Sequence, residues 1–344
     1  LLVLSFQSIA FASTDKNTQH TIGEIFIIPS KVLSHDRSIQ VYLPPNYHQS
    51  KKKYPVLYVL DGQWHFTNAV AIQQSLRVPS LLPEMIIVGI VNNQPLRRTM
   101  FGGQREEFQQ HLADEVLPYI DGKFRTSQER LLFGWEMGAF FSTFSLFHEK
   151  QLFNGVIATN GGDASDQAIS QFSDMKMGSE KYLYIANSIR DVYTIEFSDE
   201  LSKQLSKKEV NNLNWHYQQF NDELHETLPY VSMYNGLKHF YYNFDTLSYS
   251  SIDEFENLGG MKYLKEYFTK RGERFGLSKS ISNSTKNNLI WIAWNRDNYE
   301  YFHRFMTVFK DVLTTKRYDS AYWQNRFGRF YLKHGNLKLA KQYF

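Results

Sequence analysis

The sequence predicts a layered α/β domain, a mostly parallel sheet with helices on both faces, followed by an all-helical region. Three observations carry this. Between about residues 22 and 245, short β-branched apolar runs closed by turn signals alternate with helically spaced stretches. The runs are apolar throughout rather than alternating, the pattern of strands buried on both faces. From about residue 249 the strand-like runs stop, and apolar and aromatic positions recur at helical spacing alone.

Taken in chain order, Ile39 to Leu43 is the first run, stopped by Pro44 and Pro45. Pro55 to Leu60 ends at Asp61-Gly62, and Met85 to Val91 ends at Asn92-Asn93. Leu131 to Phe133, Val156 to Ala158 and Tyr182 to Ile185 follow in the same style. Phe108, Leu112, Val116, Leu117 and Ile120 predict a helix between them. In the later region Met261, Tyr263, Leu264 and Tyr267, then Tyr301, Phe305, Val308 and Phe309, mark helical faces, with a polar linker expected over Ser278 to Asn288. Phe327 and Tyr331 would share one face of a helix, Gly335 would permit a turn, and Ala340 and Phe344 would pack from the next helix. Small residues at Gly328 and Ala340 would let the two approach closely. This last pair resembles the first two-thirds of a tetratricopeptide unit, and roughly three such units are usually needed to bury a face.

Composition narrows the class. The 344 residues carry 38 Lys+Arg against 35 Asp+Glu, a formal charge of 38 − 35 = +3, without the basic stripe of a nucleic-acid binder. No cysteine is present, which removes disulfides, thiolate metal sites and cysteine nucleophiles together. The eleven histidines are scattered without metal-ligand spacing, so neither a metal nor a cofactor is expected. The run Leu1 to Ile9, then Ala10-Phe11-Ala12 and a polar stretch, has the form of the end of a secretion signal with an A-x-A cleavage site. An exported protein, periplasmic or extracellular, is therefore expected, with no membrane span and with sequence continuing beyond both ends. The expected organisation is a signal remnant over 1–12, an α/β domain over 13–248 and a helical region over 249–344.

One element has chemical character. Leu131-Leu132-Phe133 leads into Gly134-Trp135-Glu136-Met137-Gly138-Ala139 and then a helical run from Phe140 to Phe147. This is the outline of a nucleophile elbow, G-x-S-x-G, a sharp strand-to-helix turn with a strained central residue. Gly134 and Gly138 supply the small flanking positions, and the following helix would place amides beneath the central side chain. The central residue is Glu136, not serine.

At this point the chain resembles the enterochelin-esterase and esterase-D type serine esterases of the α/β-hydrolase superfamily, from about residue 22 to the end. Arg37 to Pro44 is similar to their opening strand, and Tyr54-Pro55-Val56-Leu57-Tyr58-Val59-Leu60-Asp61-Gly62 to their second signature, with His65-Phe66 after it. Val88-Gly89-Ile90, Leu117-Pro118-Tyr119-Ile120 and Phe124-Arg125-Thr126 continue the likeness, and His225 to Pro229 with Tyr234 to Leu237 resembles the segment bearing the catalytic histidine. The resemblance implies His225 as base position, Glu136 at the nucleophile position, and the amides of Met137 and of a residue near Gln63 as oxyanion donors. The third member should follow the strand at 182–185, where Asp191 is the candidate. Arg97-Arg98 stands where such esterases carry an Arg-Asp pair, and Glu226 where they carry a small residue.

A glutamate cannot simply replace the serine. Its carboxylate is one methylene longer than the aspartate nucleophiles of this fold, and attack on an ester would have to form an anhydride. The expected state is an ion pair of Glu136 with protonated His225, or a carboxylate resting in the oxyanion hole. Ser142 and Ser145 lie along the following helix, His148 suits its end, and Asn160-Gly161-Gly162 reads as a turn on the active-site edge. Three readings of function follow. The first is an exported esterase-family protein, impaired in catalysis, that binds a small ester-like ligand or a protein. The second is a hydrolase of altered mechanism acting on a small ester, lactone or alkyl substrate. In the third, the helical tail engages a protein partner and the α/β domain is its scaffold.

Overall fold

A computed structural model describes residues 21–175 and 179–344. The signal remnant expected over 1–12 lies outside them. Among the described residues, eight strands form one sheet: β1 (Glu24–Ile28), β2 (Arg37–Tyr42), β3 (Tyr54–Leu60), β4 (Ile86–Ile90), β5 (Thr126–Trp135), β6 (Gly155–Thr159), β7 (Lys181–Ser188) and β8 (Leu213–Phe220). Their order is β1-β2-β4-β3-β5-β6-β7-β8. β1 and β2 pair antiparallel with each other, and β2 antiparallel with β4; every other pairing is parallel.

The continuous apolar runs have the predicted cause. In β3, Val56, Tyr58 and Leu60 enter the core on one face, while Leu57 and Val59 enter the core on the other. Period-two geometry sends successive side chains to opposite faces, so a strand covered on both sides has no polar side to show. The expected helix runs as consecutive helical segments from Arg105 to Lys123, with Phe108, Leu112, Val116, Leu117 and Ile120 all buried.

Two edge strands lie outside the expected apolar runs. β1 is an edge strand whose Ile25 and Ile27 are exposed, and β8, with sequence LNWHYQQF at the other edge, has no fully buried residue. β5 begins five residues before the apolar run because Thr126 to Arg130 are only partly covered.

The region after residue 249 is helical and holds its own core around Phe255, Leu264, Phe268, Phe302, Phe305 and Phe327. The linker expected over Ser278 to Asn288 is shorter than predicted. Ser282 caps a helix spanning Asn283–Asn295, its hydroxyl accepting from the Thr285 amide at 3.1 Å. Helices Ala321–Lys333 and Leu337–Tyr343 bury Phe327, Tyr331 and Ala340, with Gly335 between them at φ +76°. Phe344 is 65% exposed, yet its ring lies over Gly328, where an added Cβ would meet it at 2.9 Å. Arg274 ties the two regions together by donating to Asn243 Oδ1 at 2.8 Å and to the Phe240 carbonyl at 2.6 Å.

Candidate active site

The chemistry gathers at the carboxyl ends of the parallel strands, where ligands bind in sheets of this kind. Glu136 follows β5 and precedes the helix Met137–Phe147, with φ 54° and ψ −119°. That conformation is rare for a residue with a Cβ and persists only where its surroundings over-determine it. The Glu136 amide donates to the Thr159 carbonyl at 2.9 Å, and the Glu136 carbonyl accepts from Ala139 at 2.9 Å. A Cβ at Gly134 would be driven into the Gly138 carbonyl and the Ser142 hydroxyl. At Gly138 itself a Cβ would meet only ordinary contacts, the nearest being Asp61 Oδ2 at 3.5 Å. The tight approach therefore demands glycine before the elbow and not after it, contrary to the expectation from the motif.

The Glu136 carboxylate does not form the pair expected with His225. Arg97 Nη1 donates to Glu136 Oε2 at 2.8 Å, while its Nε donates to Asp61 Oδ1 at 2.9 Å and its Nη2 to the Trp135 carbonyl at 3.2 Å. Arg97 reaches there from the helix Leu96–Phe101 after β4, and Asp61 from the end of β3. Both are almost fully buried, whereas the Glu136 side chain is about one third exposed. The correction has a plain cause: a guanidinium cannot deprotonate, so once buried it must find carboxylates, and it outcompetes an imidazole that can remain neutral. Burial pushes the Asp61 carboxyl up to about 6, against the pull of Arg97. Burial alone would lower the pKa of Arg97, but its bonds to Asp61 and Glu136 outweigh that and raise it.

His225 sits between β8 and the helix Leu228–Phe240, and its Nδ1 lies 2.7 Å from Asp191 Oδ2. Asp191 follows β7, where a third triad member was expected. The same oxygen accepts from the Thr194 hydroxyl at 2.7 Å, and Asp191 Oδ1 accepts from the Tyr193 amide at 3.2 Å. Burial would raise the Asp191 carboxyl; the bonds from Thr194, His225 and Tyr193 outweigh it and hold it below the usual range. The main chain of His225 is fixed as well, its carbonyl accepting from Asn160 Nδ2 at 2.7 Å and Trp135 Nε1 at 3.1 Å. The Trp135 ring lies 4.9 Å from the imidazole, centroid to centroid. Asn160, read as a turn residue on the active-site edge, thus also positions the histidine, with its own φ at 52°.

Of the two expected oxyanion donors, Met137 opens its helix and Gln63 stands second in the helix Gly62–Arg77. Amides in a first turn have no partner within their own helix. The Gln63 side chain is occupied, exchanging bonds of 3.1 and 3.0 Å with the main chain of Asn92. Ser142 donates to the Gly138 carbonyl inside the helix at 2.7 Å, and His148 meets Glu106 at 3.1 Å, so neither belongs to the site. Sequence reasoning gave Arg97 only as the position of the esterases' Arg-Asp pair and Asp61 only as a turn within the second signature, and it did not single out Trp64.

Comparisons with known proteins agree with this architecture. Residues 30–179, which hold the elbow and Arg97, match the model of the family described as "Putative esterase". An IroE-like serine hydrolase from Shewanella oneidensis superposes with a TM-score of 0.60 at 20% identity, covering 83% of this chain and 98% of that one. This is an α/β-hydrolase fold. An uncharacterised Capnocytophaga ochracea protein gives 0.65 at 16% identity over 93% of this chain and 92% of its own, so that likeness takes in the helical region as well. The siderophore hydrolase EstA of Aspergillus nidulans gives 0.54 at 16% identity, over 70% of this chain and 98% of that one. The Bacillus subtilis (strain 168) protein YbbA, described as uncharacterized, is 24% identical over 164 residues, 42% of this chain. The chain spans 66% of that protein's length, just under two thirds.

Two outcomes follow for this site. Gly134→Ala should destabilise the fold by about 3 kcal/mol or more in urea unfolding, because backbone blocks the added methyl. The second concerns His65, where burial and the nearby Arg97 lower the imidazole from 6.5 to about 4. The unfolded chain therefore takes up a proton first as pH falls, so this stabilisation is present above pH 6.5 and is lost towards pH 4. Between pH 7 and 4.5 the wild type should lose roughly 2–3 kcal/mol relative to His65→Gln, and an unchanged difference would refute a buried neutral imidazole.

Proposed function

We propose that this chain derives from serine esterases and has lost ordinary ester hydrolysis while keeping a ligand pocket. The observation that carries the reading is the 2.8 Å bond from Arg97 Nη1 to Glu136 Oε2. In a serine hydrolase a hydroxyl attacks the acyl carbon and gives its proton to the histidine. Here the residue at the elbow has no proton to give, and its carboxylate is already bonded to a cation that is 3% exposed. Attack by that carboxylate on an ester would yield a mixed anhydride, a product more reactive than the substrate. His225 and Asp191 remain a base and its orienting carboxylate without a nucleophile to serve.

One observation favours a second reading. The 2.7 Å contact between His225 and Asp191 is the arrangement that would let His225 activate a water for a small ester or lactone. That route needs Glu136 only as a bystander. Export, expected from residues 1–12, belongs to the same proposal and places the pocket outside the cytoplasm.

A panel of p-nitrophenyl esters separates the readings. Wild type and Glu136→Ala should both remain near the uncatalysed rate. Glu136→Ser should gain roughly 10²–10⁴-fold, and adding His225→Ala should remove that gain. Wild-type turnover that survives in Glu136→Ala but not in His225→Ala would establish the water route. Wild-type turnover lost in Glu136→Ala would establish catalysis by the carboxylate itself.

A further inference from the structure

Beside the elbow lies a cavity of about 700 Å³ whose walls include Trp64, His65, Trp135, Glu223, Glu226 and Tyr230. Trp64 and Trp135 meet edge to face, their centroids 5.8 Å apart and their planes at 88°, giving two aromatic walls at a right angle. Trp64 and Tyr230 are about half exposed. No lysine or arginine lines the space, but two carboxylates do. Glu223 accepts from the Thr227 hydroxyl at 2.6 Å, and among the described residues Glu226 accepts no side-chain or main-chain donor. His65 is neutral at pH 7, 6% exposed, and its Nε2 has no partner. Behind Trp135, the positive charge of Arg97 faces the two carboxylates of Asp61 and Glu136.

Aromatic walls in a field of negative sign are the chemistry that recognises an organic cation. The same indoles already serve one: the Arg97 guanidinium carbon lies 5.4 Å from the Trp64 centroid and 5.7 Å from that of Trp135. We propose that this cavity binds an alkylammonium ligand, a quaternary ammonium or protonated amine with a small aliphatic body. Trp64, Trp135 and Tyr230 enclose the cation, Glu226 supplies the counter-charge, and His65 Nε2 accepts a hydroxyl or N–H of the ligand. The inference rests on the reading of this site as a pocket kept for binding. A neutral sugar, the other ligand class suited to aromatic and carboxylate walls, would leave the charge of Glu226 unanswered.

Isothermal titration of the whole chain with choline, its neutral isostere 3,3-dimethylbutan-1-ol, and maltose tests this. Choline should bind about 10-fold more tightly than the isostere and more tightly than maltose. Trp64→Ala and Glu226→Gln, both at exposed positions, should each weaken choline roughly 5–10-fold while circular dichroism stays unchanged. Absence of saturable choline binding, equal binding of the isostere or of maltose, or insensitivity to both substitutions would overturn the proposal. The outcome is separable from the catalytic reading: ester turnover by the wild type would end that reading and leave the titration intact, whereas a failed titration of an inert protein would end this inference alone.

Discussion

The site is organised by a buried guanidinium. Arg97 reaches from the segment after β4 to the end of β3 through Asp61, to the elbow through Glu136 and to the strand before it through the Trp135 carbonyl. Removing a cation from water costs several kcal/mol even after relaxation, and leaving it unpaired would cost more than any surface contact returns. Three anchored nitrogens offset that cost and fasten three strand ends to one another. Asp61 alone is an imperfect partner, since its burial holds its carboxyl near 6 and its Oδ2 accepts no bond. Glu136, more open to solvent, supplies the second carboxylate without the same penalty.

This pairing is made at the tip of the elbow. The turn keeps its strained backbone, with a φ of 54° at Glu136 and no room for a side chain at Gly134. Strain of about 1–3 kcal/mol is maintained only where neighbours enforce it. In a serine enzyme the strain lifts a nucleophile into reach of substrate. Here the same geometry presents a carboxylate to Arg97, while His225 is held independently by Asp191, Asn160 and Trp135. The two halves of the machinery are each well ordered, and no hydrogen bond joins the Glu136 and His225 side chains among the described residues.

How much of this the sequence discloses depends on the range of the interactions. β3 and β4 are legible because burial on both faces leaves apolar residues at every position. β8 is not, since this edge strand mixes polar and aromatic residues along its length, whereas β1 is apolar in sequence although its Ile25 and Ile27 face solvent. The elbow is legible because one local turn dictates its glycine spacing. The bond between Arg97 and Glu136 spans 39 residues and depends on how the segment after β4 folds back over the sheet, which no local pattern encodes. Asp191 could be suggested from its place after β7, yet its contact with His225 needed the return of the chain through β8. Asn160 shows the same limit: the sequence places it in a turn, and only packing turns its amide toward the His225 carbonyl.

An esterase pocket stabilises negative charge that appears only briefly, and it does so with amides that cost nothing to reorganise. Glu136 puts a permanent negative charge at the start of the helix Met137–Phe147, the end whose dipole favours an anion. Arg97 then faces a resident carboxylate rather than a transient one. What is left facing the cavity is its acidic and aromatic side: Glu223, Glu226 and the two tryptophans, with His65 uncharged. On the proposed reading, a carboxylate at the elbow would do more than stand where a nucleophile is expected. With Glu136 held by Arg97, the carboxylates that line the cavity are Glu223 and Glu226, and the proposed positively charged guest would answer these two.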